Sequence, residues 1–171
     1  MSTINYTGIA KIFPETSKYF TETCFCDVFT LPENNKDIGS ILSVKSQINI
    51  INTTLVETPI DISNEGQHLL GYKLIIELGV LYKLIYVSTP LEEQCSMKNP
   101  VLSADLGTAL KTVFVVLPYS ISGIDTKKLI RTNAFKVTPY IEHVTMQIID
   151  PRSVYSTMDV FIDVDFNNCS F

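Results

Sequence analysis

Charged residues are scarce in this chain of 171 residues, and basic residues are scarcer than acidic ones. Only 18% of the residues are charged, and 13 lysines and arginines against 18 aspartates and glutamates give a net charge of −5. The longest basic run is the pair Lys127 and Lys128. Nucleic acids and anionic membranes both attract basic surfaces, so the sequence predicts no nucleic-acid partner and no attraction to a membrane surface.

The chain also lacks a hydrophobic run of membrane-spanning length. A spanning helix needs about 20 consecutive apolar residues, and the best uncharged run, Thr112 to Ile124, is short and contains Pro118. The first residues, MSTINYTGIAKIF, have no basic start, apolar core and small-residue cleavage site. We therefore expect a protein made in the cytosol, without a secretory signal or a membrane span.

Catalytic motifs are missing as well. The chain has 2 histidines, His68 and His143, and it contains no nucleophile elbow, H-E-x-x-H, P-loop or G-x-G-x-x-G. His68 lies beside a turn signal and His143 in a strand pattern, where an ordinary hydrogen bond is the expected role. The sequence thus predicts a protein that is not an enzyme and binds no cofactor.

What the chain does have is alternation of apolar and polar residues with a period of two, rich in β-branched side chains. No amphipathic helix of 12 residues is visible, and only Asn35 to Ile41 has the character of a helical turn. The pattern predicts an all-β domain, either an antiparallel β-sandwich or a jelly-roll or barrel-like fold. The predicted strands are Thr21 to Leu31, Ser43 to Thr58, Leu69 to Ser88, Val101 to Leu117 (as one strand or two), Lys136 to Ile149 and Val154 to Phe166.

The alternation also predicts which faces are buried and where strands bend. In the second strand the apolar residues change parity between Ile50 and Ile51, which predicts a bulge, and Gly79 marks a bend in the third. The first strand has Phe25, Phe29 and Leu31 on one face and Cys24, Cys26 and Val28 on the other. The last strand has Val160, Ile162, Val164 and Phe166 on the buried face and Asp159, Asp163 and Asp165 on the solvated one.

Metal sites receive little support from these residues. The three aspartates of the last strand suggest calcium, but no Asp/Asn/Gly loop accompanies them. A zinc site lacks a C-x₂-C pair. We therefore predict no bound metal.

The chain divides into an N-terminal arm, residues 1–20, a β domain, residues 21–166, and a C-terminal tail, residues 167–171. Apolar residues at non-helical spacing make the arm a candidate for assembly: Ile4, Tyr6, Ile9, Ile12 and Phe13. The arm either adds as a strand to the sheet edge of a neighbouring subunit or folds back as the first strand of its own domain. Folding back is entropically easier.

The four cysteines are candidates for disulfides between subunits. Cys24 and Cys26 are two residues apart on a predicted strand, so both side chains leave the same face and are poorly placed to pair with each other. Cys95 lies in a polar loop and Cys169 in the tail. These thiols either cross-link subunits in an oxidising environment or stay reduced.

Four segments of the chain form an ordered set. They are LPENNKDIGSILSVKSQINI (31–50), EGQHLLGYKLIIELGVLYKLIYV (65–87), VFVVLP (113–118) and VTPYIEHVTMQIIDPRSVYSTMDVFIDV (137–164). In this order they resemble the SPOCS-domain family, which occurs in spore coat and coat-assembly proteins of spore-forming Firmicutes. The resemblance extends from about residue 20 to 166. Adaptor members of that family end in a peptidoglycan-binding LysM module, which these residues do not include.

The resemblance implies a structural subunit of the spore envelope (coat, exosporium or surface appendage) made in the mother-cell cytoplasm without a signal peptide. It implies assembly into a homo-oligomer or homopolymer through sheet edges, with disulfides as an addition, and contact with other coat proteins. The alternative is an adaptor module that binds one coat-assembly protein without polymerising. A carbohydrate-binding or hydrolytic β-sandwich is a third hypothesis, which requires a concave patch of aromatic and carboxylate residues.

Overall fold

The computed structural model describes residues 3–58, 61–62, 68–69, 71–89 and 100–166, and within them the predicted all-β fold is confirmed. The long strands lie close to the predicted segments, although β3 begins earlier than expected and residues 101–117 form one strand. The elements are β1 (Asn5–Thr7), β2 (Phe20–Thr30), β3 (Ile38–Glu57), β4 (Asp61–Ile62), β5 (His68–Leu69), β6 (Tyr72–Ser88), β7 (Val101–Leu117), β8 (Ser120–Ile121), β9 (Ile124–Asp125), α1 (Thr126–Arg131), β10 (Lys136–Asp150) and β11 (Ser153–Asp165).

Two sheets of long strands form the domain. The first has the order β1-β3-β6-β7 and the second the order β10-β11-β2. Neighbouring strands are antiparallel, except that β1 runs parallel to β3. The sheets do not close into a barrel. Of the predicted alternatives, the fold is therefore the β-sandwich-like one.

The helical turn predicted at Asn35 to Ile41 is wrong. Strand β3 begins within that segment, and the backbone N–H of Ile38 donates to the carbonyl oxygen of Pro151 at 2.7 Å. Pairing with a distant turn therefore overrides the local preference. The helix is α1 instead, and Asp125 caps it by accepting a hydrogen bond from the backbone N–H two residues on, at 2.7 Å.

Alternate side chains of the central strands β6 and β11 fill the core. The apolar row of β6 is completely buried over its length, and the row predicted for β11 faces it. Full burial of one such side chain stabilises the fold by about 1.5–3 kcal/mol. The buried apolar residues of these two rows are Tyr72, Leu74, Ile76, Leu78, Val80, Tyr82, Leu84 and Tyr86 on β6, and Val154, Met158, Val160, Ile162 and Val164 on β11.

The bulge predicted in β3 is confirmed, whereas the bend predicted at Gly79 of β6 is not found there. The register of β3 against β6 shifts directly after Ile50, as the change of parity predicts. Gly79, by contrast, stays in a regular ladder with both neighbouring strands. Its missing side chain makes room for Ile51 and Thr108, which come within 3.3 and 3.2 Å of the place a Cβ would take. The register of β6 against β7 shifts near Gly107, a residue with φ of +85°.

The N-terminal arm closes one open side of the sandwich. Strand β1 pairs with β3 of the first sheet, and the backbone N–H of Met146 in β10 donates to the hydroxyl oxygen of Tyr6 at 3.1 Å. Further on, the N–H of Ala10 donates to the carbonyl oxygen of Ile141, also in β10, at 2.8 Å. In the single chain the arm therefore folds back as the first strand of its own domain.

The rest of the arm crosses the outer face of the second sheet. The ring of Phe13 lies 5.6 Å from that of Tyr140, and the hydroxyl of Ser17 donates to the carboxylate of Asp163. Asp163 is consequently buried, with 8% of its surface exposed. The solvated position predicted for Asp163 is wrong because the alternation of β11 does not reveal what covers its outer face.

An ion pair lies at the opposite side of the sandwich, where β2 comes close to β7. Lys111 Nζ is 2.5 Å from Asp27 Oδ1, and the two side chains are only 20% and 17% exposed. The ammonium group also lies 5.6 Å from the ring centroid of Phe25. An internal pair of opposite charges thus fills this side of the sandwich.

Arg152, in the turn between β10 and β11, clamps the loop between β2 and β3. Its guanidinium donates to the carbonyl oxygens of Pro32 and Asn35, both at 2.9 Å, and to the Asp37 carboxylate at 3.1 Å. These contacts tie the turn between β10 and β11 to the loop between β2 and β3. Arg152 thus holds the two sheets together at this end of the sandwich.

We expect Arg152→Ala to lower the free energy of unfolding by about 2 kcal/mol, because several charge-assisted hydrogen bonds are lost at once. Asp37→Asn is the matched control, since it removes the half-exposed ion pair and leaves the carbonyl contacts in place. It should cost less than about 1 kcal/mol. Urea unfolding measures both, and equal costs would show that the clamp depends on the ion pair instead.

The position of the arm depends on Gly8, which has φ of +97° and lies against β3. A Cβ there would come 2.0 Å from the carbonyl oxygen of Ser46. Gly8→Ala should therefore detach the arm and make residues 3–13 sensitive to proteases. Gly107→Ala is the control, because that Cβ would meet nothing within 4 Å and only the backbone strain of about 1–2 kcal/mol remains. An arm equally protected in both variants would contradict this account.

Candidate assembly surface

Strand β7 is an edge of the first sheet, and no described strand pairs with its outer side. It is 17 residues long and contains no proline. Three apolar side chains on the outer face of its second half are exposed, Leu110 at 74%, Phe114 at 47% and Val116 at 45%. A long, unpaired edge with exposed apolar side chains is a template for pairing with another chain.

The apolar surface extends from β7 across the sheet. We call Ile51, Val56, Leu110, Phe114 and Val116 the apolar edge patch; all five side chains are exposed. Lys73, in β6 between them, lies with its Nζ 4.4 Å from the ring centroid of Phe114. Contiguous exposed apolar residues of this kind mark interaction surfaces.

The first half of β7 is better protected than the second. The side-chain amide of Asn35 approaches the carbonyl oxygen of Ser103 at 3.4 Å, and Lys83 lies 3.8 Å from Asp105. The register shift near Gly107 separates this half from the rest. The open part of the edge therefore runs from residue 108 to 117.

The cysteines of β2 lie on the outer face of the second sheet, as predicted. Both thiols are free and exposed, and Cys24 is directly opposite Asp159 of β11. Asp159 is in turn opposite His143 of β10, with 3.6 Å between Oδ2 and Nδ1. The three side chains form a row, which we call the thiol row.

The thiol row has the composition of a catalytic triad in the wrong order. A nucleophilic cysteine needs an adjacent base or cation that lowers its pKa. Here the carboxylate of Asp159 lies between the thiol and the imidazole, and its hydrogen bond, with desolvation, raises the pKa of Cys24 to about 11. This arrangement suppresses the thiolate at neutral pH, so it opposes both nucleophilic catalysis and rapid disulfide exchange.

The other predicted site residues lie either in the arm or in parts of the chain whose side chains are not described. Cys95 and Cys169 lie outside the described residues, and of His68 only its place in β5 is described. In the arm, Ile4, Tyr6 and Ile9 pack against the core, whereas Ile12 and Phe13 are exposed. Within the described ranges, no three His, Cys, Asp or Glu side chains are grouped so that they could hold a metal ion.

A concave patch with aromatic and carboxylate residues does exist. A cavity of about 330 Å³ lies between the arm and the second sheet, and Tyr140 and Asp163 are among its lining residues. The ring of Tyr140 is packed against Phe13, and the carboxylate of Asp163 accepts the Ser17 hydroxyl. The groups expected to hold a sugar are thus already engaged within the chain.

Sequence reasoning missed two features of these surfaces. One is the inward direction of Lys111 and Asp27, and the other is the contact between Asp159 and Cys24. Both depend on which strands are neighbours and in which register. Only the shared face of the two cysteines was visible in the spacing of the residues.

Comparison of the chain with protein-family models, curated proteins and solved structures finds no match. The described part of the chain contains no helix with the length and apolar character needed to cross a bilayer. Assignment of function therefore depends on the chain's own residues and geometry.

We expect Cys24 to react with iodoacetamide about tenfold more slowly than an ordinary thiol at pH 8. A rise in pKa from 9.0 to about 11 lowers the thiolate fraction about 100-fold but raises the nucleophilicity of each thiolate about tenfold. Asp159→Asn removes the carboxylate and should accelerate the reaction several-fold. Asp105→Asn, a distant outer-face control, should change nothing. Peptide mapping by mass spectrometry measures the rates, and a slow Cys24 in Asp159→Asn would refute the role of Asp159.

Proposed function

We propose that the chain is a non-enzymatic structural subunit of the bacterial spore envelope that self-assembles through the edges of its β-sheets. The observation that carries self-assembly is the open second half of β7, with exposed Leu110, Phe114 and Val116 and no described strand beside it. Burial of that row against another chain would remove apolar surface from water and pair the free backbone groups.

The resemblance to the SPOCS family supports the location in the spore envelope. The four segments of this chain that carry the resemblance follow one another in the family's order, and they belong to one folded unit. Parts of the first and the last meet at Arg152, and the hydroxyl of Tyr86, in the second, donates to the carbonyl oxygen of Lys36, in the first, at 2.8 Å. Synthesis in the mother-cell cytoplasm and contact with other coat proteins belong to this proposal.

A structural role agrees with the chemistry of the exposed groups. The order of Cys24, Asp159 and His143 disfavours a thiolate nucleophile. The polar groups named in the cavity beside the arm are used by the chain itself. The chemistry of the exposed groups thus favours a protein that self-associates over an enzyme.

Disulfides between subunits are the second part of the proposal. Cys24 and Cys26 lie on the outer face of the second sheet, whereas the apolar edge patch belongs to the first. A disulfide at these thiols would therefore join subunits at a surface other than the β7 edge. It would add to an assembly that the edge has already formed.

We expect the purified protein to form dimers or larger ordered assemblies, detected by sedimentation velocity and negative-stain electron microscopy, in reducing buffer as well as oxidising buffer. Leu110→Lys should weaken self-association at least tenfold, because it puts a charge on the open half of β7. Val101→Lys, at an exposed position on the same strand before Gly107, is the matched control and should assemble like the wild type.

A protein that stays monomeric at high concentration in every buffer would contradict self-assembly and favour the adaptor hypothesis. In that case a stoichiometric complex from sporulating cells, insensitive to Cys24→Ala and Cys26→Ala, would identify the partner. Immunogold labelling of spores tests the location, and label confined to the cytoplasm would contradict it.

A further inference from the structure

We propose that two copies of the chain pair through β7 in an antiparallel ladder with two-fold symmetry, with Thr112 of each copy at the axis. The inference rests on the proposed self-assembly and adds the partner strand and its register. The joined sheet would have eight strands, with β7 of both copies at its centre.

The charges near β7 leave this edge free for a second copy. Its acidic residue and its basic residue are both paired inside the chain, Asp105 with Lys83 and Lys111 with Asp27. An incoming copy therefore meets no unpaired charge on the open half of the strand. Paired charges of this kind do not give the like-charge repulsion that commonly protects edge strands.

The other edges of the two sheets are less suitable. Strand β1 pairs with residues 43–45 of β3, and the arm occupies β10 at Ile141 and Met146. The second half of β3 has no described strand on its outer side, but the register shift after Ile50 interrupts it. Strand β2 is free on one side, but its outer face carries Glu22 and the exposed thiols of Cys24 and Cys26. Residues 108 to 117 of β7 combine a free side with a row of exposed apolar residues.

The register follows from the positions of the apolar residues. In an antiparallel pair of strands related by a two-fold axis, residues opposite each other lie on the same face of the sheet. Their residue numbers are therefore both odd or both even, and every opposite pair adds up to the same even sum. A centre at Thr112 puts Leu110 of each copy opposite Phe114 of the other, and Thr108 opposite Val116. The most exposed of these side chains then lies beside an aromatic ring twice in the interface, and cross-strand pairs of this type are favourable.

Neighbouring centres lose these pairs. With Leu110 at the centre, Phe114 would face residue 106, on the other side of the register shift near Gly107. With Phe114 at the centre, Leu110 would face Pro118, which lies beyond the end of β7. With Lys111 at the centre, Leu110 and Phe114 would face Thr112 and Thr108, and with Val113 at the centre they would face Val116 and Thr112. Of these centres, only Thr112 pairs Leu110 with Phe114.

Symmetric cross-linking tests the register directly. In a background with all four native cysteines replaced by serine, Thr112→Cys places two thiols opposite each other, with Cα atoms about 4.5–5.5 Å apart, within reach of a disulfide. Thr108→Cys is the matched control, because the two introduced thiols would be about 27 Å apart at 3.4 Å per residue. We expect at least tenfold more covalent dimer from Thr112→Cys than from Thr108→Cys on non-reducing gels.

A second variant tests the same register in case the Thr112→Cys substitution itself disturbs the strand. The double variant Thr108→Cys/Val116→Cys should cross-link through two symmetric disulfides, whereas Val116→Cys alone should not. A cysteine-free parent that self-associates while neither Thr112→Cys nor the double variant cross-links would overturn the register and leave self-assembly intact. A cysteine-free parent that is folded, by circular dichroism, yet monomeric would overturn both.

Discussion

The fold depends on the burial of one row of side chains, the even-numbered apolar residues of β6. From Leu74 to Tyr86 this row is buried, and it belongs to one core cluster with the inward side chains of the second sheet and with Leu129. Each buried side chain contributes about 1.5–3 kcal/mol, so the row holds the two sheets face to face. It does not close the open sides of the sandwich, which need separate contacts.

Those two sides are closed in different ways, and the difference determines which edge remains free. On the β3 side, the arm lies between the sheets and occupies edge positions of both β3 and β10. On the β7 side, Lys111 and Asp27 meet inside the sandwich, and no described strand pairs with the outer side of β7. The availability of the β7 edge is thus a consequence of how the chain closes its core.

The strands and their buried faces could be predicted because both follow from alternation over a few neighbouring residues. The closures could not be, because they join distant residues: 84 positions separate Lys111 from Asp27, and 117 separate Arg152 from Asn35. The candidate site divides in the same way. The shared face of Cys24 and Cys26 is local, whereas the carboxylate beside Cys24 comes from β11 and depends on strand register.

The suppressed thiolate of Cys24 has a consequence for the order of assembly steps. The proposed edge pairing through β7 would require no chemistry, so it would form and dissociate reversibly, and a misplaced copy could leave. Disulfide formation requires a thiolate, and Asp159 keeps that form of Cys24 scarce by raising its pKa to about 11. Covalent locking at this thiol would therefore follow edge pairing, so that the bond forms between copies already in register.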